Sequence, residues 1–166
     1  MTPLLFIPLL GFLAVLQATL LPRIAILNVH PDLVLLTVVS WALLRGMGEG
    51  LAWAFVGGLW IDVLSGGPFG LSSLSLVIVA FLASLLEAGV FQEHIVLVML
   101  AVAAAGLLHG LLYLFFLRMG HHPAATLAAV WRVVIPSALY TSLFTPIVFP
   151  AMRWLHRATG REQLEW

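Results

Sequence analysis

Ionisable residues set between apolar runs are the ones best placed to do chemistry in this chain. They are Asp32 in Pro31-Asp32-Leu33, Arg45 and Glu49 in Arg45-Gly46-Met47-Gly48-Glu49, Asp62 ahead of Ser65-Gly66-Gly67-Pro68-Phe69-Gly70, and Arg132 in the last apolar run. Two aspartates at membrane depth are the equipment of intramembrane proteolysis, but Asp32 and Asp62 each fall near the end of their run rather than at its centre. Leu71-Ser72-Ser73 supplies hydroxyls without a base at a spacing that would activate them, and no Ser-x-x-Lys, Gly-x-Ser-x-Gly or Gly-rich phosphate loop occurs. With no Cys there is no thiol catalysis and no cysteine metal site. His109, between Gly106 and Gly110, has no second ligand at metal spacing, and His121-His122 read as loop residues. The residues predict a protein that is not an enzyme and that holds no cofactor or metal.

A charged group at membrane depth costs about 2.5–3.5 kcal/mol on insertion scales unless it finds a partner. Asp62 is therefore either an interfacial residue at the end of a short helix or a carboxylate paired inside the bundle. Arg132, the one Arg within an apolar run, is its candidate partner. The turn after Asp62, with Gly66, Gly67, Pro68 and Gly70, also offers backbone N–H groups that could cap it. Arg45 and Glu49 stand four apart across a Gly-rich turn, where an ion pair, headgroup contacts and a partner-binding role are all open. Gln17 and His109 read as hydrogen-bonded packing residues between helices.

The elements that carry these residues follow from composition. With 63% apolar and 8% charged residues, and a mean hydropathy of +1.14, the chain has too little polar surface to coat a soluble globule. An all-α integral membrane protein is expected. Its basic residues are seven scattered Arg with no Lys, which leaves nucleic-acid binding without support. Apolar run lengths predict one transmembrane bundle of six spans, approximately 3–21, 31–46, 49–65, 70–87, 95–117 and 126–152, the last kinked by Pro136 and Pro146. The first Arg lies beyond the first run, at Arg23, so that run reads as a retained helix. Arg45, Arg153, Arg157 and Arg161 on one side against Arg23 and Arg118 on the other place both termini in the cytoplasm. Gly46, Gly50, Ala54 and Gly58 recur every four residues and lead to Asp62, a stripe that lets a neighbouring helix approach closely; Gly106 and Gly110 repeat the device.

The ordered set resembles a known family. Leu-Pro-Arg after the first run, Pro31-Asp32-Leu33, Arg45-Gly46 with Glu49-Gly50, and Gly57-Gly58-x-x-x-Asp62 leading into Ser65-Gly66-Gly67-Pro68-x-Gly70 are similar to the rod shape-determining MreD family, most closely over residues 31–75. Leu71-Ser72-Ser73 departs from the family pattern, where an Asn is often found. The resemblance implies a multi-pass subunit of the bacterial inner membrane in the cell-elongation complex. It would bind MreC and help couple MreB to peptidoglycan synthesis by RodA and its class B penicillin-binding transpeptidase. It also implies a bundle similar to the substrate-binding subunits of energy-coupling-factor transporters. From that comes the alternative, a small-molecule or lipid-binding subunit of a transporter. The structural or partner-binding candidates are Pro31, Asp32, Arg45, Glu49, Gly50, Gly58, Asp62, Gly66, Gly67, Pro68, Gly70 and Arg132, with membrane lipids as further partners.

Overall fold

In a membrane a helix that is apolar on every side can face either lipid or its neighbours, and in this bundle it is the second helix that takes the middle. The computed structural model describes residues 2–19, 31–86, 94–120 and 127–159, 90% helical and with no strand among the described residues. The helices are α1 (Thr2–Thr19), α2 (Leu33–Arg45), α3 (Met47–Ser65), α4 (Leu71–Ser84), α5 (Ile95–Met119), α6 (Ile135–Leu143) and α7 (Thr145–Thr159). A short helical turn Leu127–Ala129 and a π-helical turn Val130–Val134 lead into α6. Every residue from Val34 to Leu44 in α2 is buried, and α1, α3, α4, α5, α6 and α7 all pack on it.

Both ends of α2 are closed locally. Asp32 is its N-cap, accepting from the Leu35 N–H at 2.9 Å, and the Gly46 N–H returns to the Ala42 carbonyl at 2.9 Å. Near its C-terminal end an aromatic cluster ties three helices together: Trp41 of α2 stacks on Trp53 of α3 at 4.4 Å, and Phe6 of α1 lies 4.2 Å from Trp53. Large apolar side chains such as Phe12, Phe55, Leu100, Phe115, Leu139 and Ile147 point outward. In a membrane protein that is the surface offered to lipid.

The small-residue stripe of α3, with Gly57 beside it, lets its neighbours approach closely. A Cβ on Gly50 would lie 2.8 Å from Ala42 Cβ, one on Gly57 2.9 Å from a Val34 methyl, and one on Gly58 2.7 Å from the Ser73 backbone nitrogen. The stripe therefore joins α3 to α2 and α4 within the chain. Gly106 and Gly110 do the same for α5, against Ala138 and Val134.

Two helices, Met47–Ser65 and Ile95–Met119, are long and apolar enough to cross a membrane individually, and the bent pair Val130–Leu143 with Thr145–Thr159 makes a third candidate. Phe6–Thr19, Leu33–Arg45 and Leu71–Ser84 are apolar but shorter. The last run differs from the single kinked helix expected over 126–152. It breaks at Phe144 with a 55° bend and runs on to Thr159. Pro146 has no N–H to return to Ser142, so it starts a new helix more readily than it continues the old one. Pro136 sits in the first turn of α6, just after the widened π turn in which the Ile135 N–H reaches back to the Val130 carbonyl.

Candidate functional site

The charged residues fall at the two ends of the bundle, because α2 and α3 run antiparallel: Asp32 and Asp62 at one end, Arg45 and Glu49 at the other.

Asp62 lies one turn before the end of α3 and is 3% exposed. Its carboxylate meets the first turn of α4. Oδ1 accepts from the Ser72 N–H at 3.0 Å, and Oδ2 accepts from the Gly70 N–H at 3.0 Å and from the Ser73 N–H and hydroxyl at 3.1 Å. A helix N-terminus presents unpaired N–H groups and the positive end of the peptide dipoles, so it can neutralise a buried carboxylate without a cation. The turn between the helices is shaped for this contact. Gly66 closes α3 in the left-handed conformation at φ 63°, and Gly70 enters α4 at φ 96°. Gly66 and Gly67 are exposed and Pro68 half-buried, with Phe69 projecting at 68% exposure.

The expected partnership of Asp62 with Arg132 is corrected here. Arg132 is exposed on the π turn, and among the described residues no ion pair joins it to Asp62. Both aspartate oxygens are already filled by the α4 N-terminus.

At the opposite end, Arg45 Nη1 lies 3.3 Å from Glu49 Oε1, and its guanidinium stands 5.2 Å above the Trp41 ring. Trp41 donates its indole N–H to Glu49 Oε2 at 3.1 Å. Arg45 Nη2 donates to Thr159 Oγ1, which brings the end of α7 to the α2–α3 turn. The pair thus joins α2, α3 and α7, and Gly50 fits beneath it against Ala42.

A second polar cluster occupies the Asp32 end. Pro31 is buried, and the Asp32 backbone N–H donates to Thr141 Oγ1 at 2.9 Å. Gln17 of α1 donates from Nε2 to Asp32 Oδ1 at 3.1 Å and accepts the Val34 N–H at 3.1 Å. His109 Nδ1 lies 3.1 Å from Ser75 Oγ, and its Nε2 faces Asp32 Oδ2 at 3.9 Å. Asp32, Gln17, His109, Ser72, Tyr113 and Thr141 border a cavity of about 330 Å³. Its remaining wall is mostly apolar, including Leu35, Ile61, Val134 and Ala138.

The structure thus brings Asp32 and the Asp62 joint to one end, where Ser65 and Ser72 border the same cavity as Asp32. It keeps Arg45 and Glu49 apart from them. Asn28 to His30, Arg23 and His121-His122 lie outside the described residues. Ser75 and Thr141 carry no sequence signal, since isolated hydroxyls in apolar helices usually bond to their own backbone, as these also do. Gln17 and His109 stand out in the sequence as polar residues in apolar runs. Their convergence on Asp32 depends on how the helices are arranged. Among the described residues there is no group of three or more His, Asp or Glu side chains that would hold a metal ion.

No curated protein and no solved structure matches the chain. The family model for the rod shape-determining protein MreD matches residues 1–158 of the 166. The aspartate-closed α3–α4 joint, the glycine stripe beneath it and the buried α2 thus belong to an all-α membrane protein of the MreD family.

Proposed function

We propose that this protein is a non-enzymatic, multi-pass subunit of the bacterial inner-membrane elongation complex. It binds MreC and, through it, helps couple MreB to peptidoglycan synthesis by RodA and its class B transpeptidase. The observation that carries this reading is the family match over residues 1–158. The chemistry agrees with it: Asp62, Arg45 and Glu49 are each engaged in joining helices of the chain. The six apolar segments act as six crossings, the shortest, α2, shielded by its neighbours, with the Arg45, Arg153 and Arg157 end in the cytoplasm. On this topology the Asp62 to Gly70 turn faces outward, and exposed Phe69 is a contact point for the extracellular part of MreC.

The test is genetic. Deleting the gene in its own host should turn rod-shaped cells round, and a copy supplied in trans should restore the rods. Rods of unchanged width without the protein contradict the proposal. One observation favours a second reading, a ligand-binding subunit of a transporter: the cavity at the Asp32 end, bordered by Asp32, Gln17 and His109. An energy-coupling ATPase pair purifying with the protein would support that reading.

A further inference from the structure

The last helix changes character along its length. From Thr145 to Met152 α7 carries no charge, and Arg153, Trp154, His156 and Arg157 then follow closely. Trp154 is 71% exposed, on the side of α7 that also presents Pro150 and Ile147. An exposed Trp where an apolar helix turns basic marks the headgroup level of a bilayer, so α7 leaves the hydrocarbon at Arg153. Arg153 and Arg157, about one turn apart, border a groove of about 300 Å³ between α7 and the start of α5. Ile95, Phe149, Pro150 and Trp154 complete its wall.

The cationic part of this groove is held in place from below. Phe149 is buried, and the Arg153 guanidinium lies 5.0 Å from its ring centroid. A guanidinium laid on a ring keeps the N–H groups along its edge available to a second partner. Arg45 spends its charge on Glu49, but among the described residues no carboxylate pairs with Arg153 or Arg157. Two positive charges call for an anion, and the planar fork of Arg matches the oxygens of a phosphate. The apolar wall adds a second requirement. It is continuous with the lipid-facing side of α7, so a free phosphate would fill half of the groove and leave the rest to an acyl chain. An acidic peptide would satisfy the charge, but its backbone would lie unpaired against the hydrocarbon. Phosphatidylcholine brings a quaternary ammonium that two Arg repel.

We infer that the groove between α5 and α7 binds an anionic phospholipid, its phosphate held by Arg153 and Arg157 and an acyl chain lying along Ile95, Phe149 and Pro150. The site needs only the chain and a bilayer, so a protein that fails to capture MreC would still hold the lipid.

The chain has no Cys, so a single introduced one carries a fluorophore to a chosen place. Val96→Cys puts it beside the groove and Leu139→Cys on a lipid-facing side of α6, both at positions 62% exposed. The full chain is placed in nanodiscs of equal parts phosphatidylglycerol and phosphatidylcholine, one or the other brominated on its acyl chains. Bromine on phosphatidylglycerol should quench the Val96 probe more than bromine on phosphatidylcholine, with a preference of about fivefold for each Arg engaged. The Leu139 probe should see the two lipids equally. Arg153→Gln and Arg157→Gln, each at the surface of α7, should lower the preference at Val96, and molar salt should lower it in the unsubstituted groove. Arg118→Gln, at the far end of α5, should leave it unchanged. Equal quenching by the two lipids at Val96 overturns the inference and leaves an acidic protein segment as the occupant. A preference that is the same at Leu139, or that Arg118→Gln lowers as much as the α7 variants do, reduces the effect to general charge attraction and overturns it as well. A preference that survives both α7 variants and molar salt removes the phosphate contact and overturns it too.

Discussion

Asp62 illustrates how a buried charge is stabilised without a counter-charge. Four donors from the first turn of α4 converge on its two oxygens, three on Oδ2 and one on Oδ1. Asp62→Ala leaves those donors unpaired in a buried site and should destabilise the protein by on the order of 3 kcal/mol, the value of one or two hydrogen bonds to a charged group. Asp62→Asn keeps an oxygen for the three-donor position but turns an amide N–H₂ toward Ser72, and should cost on the order of 1–2 kcal/mol. Arg132→Ala, at an exposed position, should change stability by less than about 0.5 kcal/mol and add to Asp62→Ala without coupling. Thermal denaturation of the purified variants in detergent ranks them; coupling between the two sites well above that value would restore the ion pair. The sequence carried part of this in plain view. Three glycines and a proline soon after an aspartate indicate a turn whose N–H groups are accessible, and one of them, the Gly70 N–H, does reach Asp62, whereas the donors from Ser72 and Ser73 carried no such sign. Arg132 was misleading because depth along an apolar run says nothing about which way a side chain faces.

At the scale of the element, the α3 glycines set the helix spacing. A methyl group on Gly58 would run into the Ser73 backbone, and backbone in the first turn of α4 cannot move without disturbing the donors to Asp62. Gly58→Ala should therefore lower stability by about 1–3 kcal/mol, the usual cost of overpacking. Gly48→Ala, in the same helix with no atom near its Cβ position, should be neutral or slightly stabilising. Melting temperatures of the two variants side by side check the contrast, and an equal loss in both would remove the packing argument. The four-residue recurrence was legible because helical geometry puts such residues on one face. The neighbour it serves was not, since that depends on the antiparallel α3–α4 hairpin. The last run shows the opposite case. Pro136 and Pro146 marked it as irregular, yet whether a proline kinks a helix or begins a new one depends on whether the freed carbonyls find other partners. The 55° break at Phe144 is the outcome.

For the molecule as a whole, composition announced the membrane but not the hierarchy within it. α2 has 13 residues, about 20 Å at 1.5 Å per residue, less than the roughly 30 Å of a hydrocarbon core. Surrounded by other helices, it has little need to match the bilayer. Run length alone therefore could not separate a central helix from a lipid-facing one. The proposed topology puts both termini in the cytoplasm, so reporter fusions at either end should give the cytoplasmic signal; an exterior signal from one end of a functional fusion would mean an odd number of crossings. The claim on which the assembly role rests is the partner, and affinity capture tests it most directly. The tagged protein, solubilised from membranes in which it is co-produced with MreC from the same host, should retain MreC through purification, with Asp62→Ala retaining less in proportion to its folded yield. Well-folded wild-type protein that emerges without MreC contradicts the account.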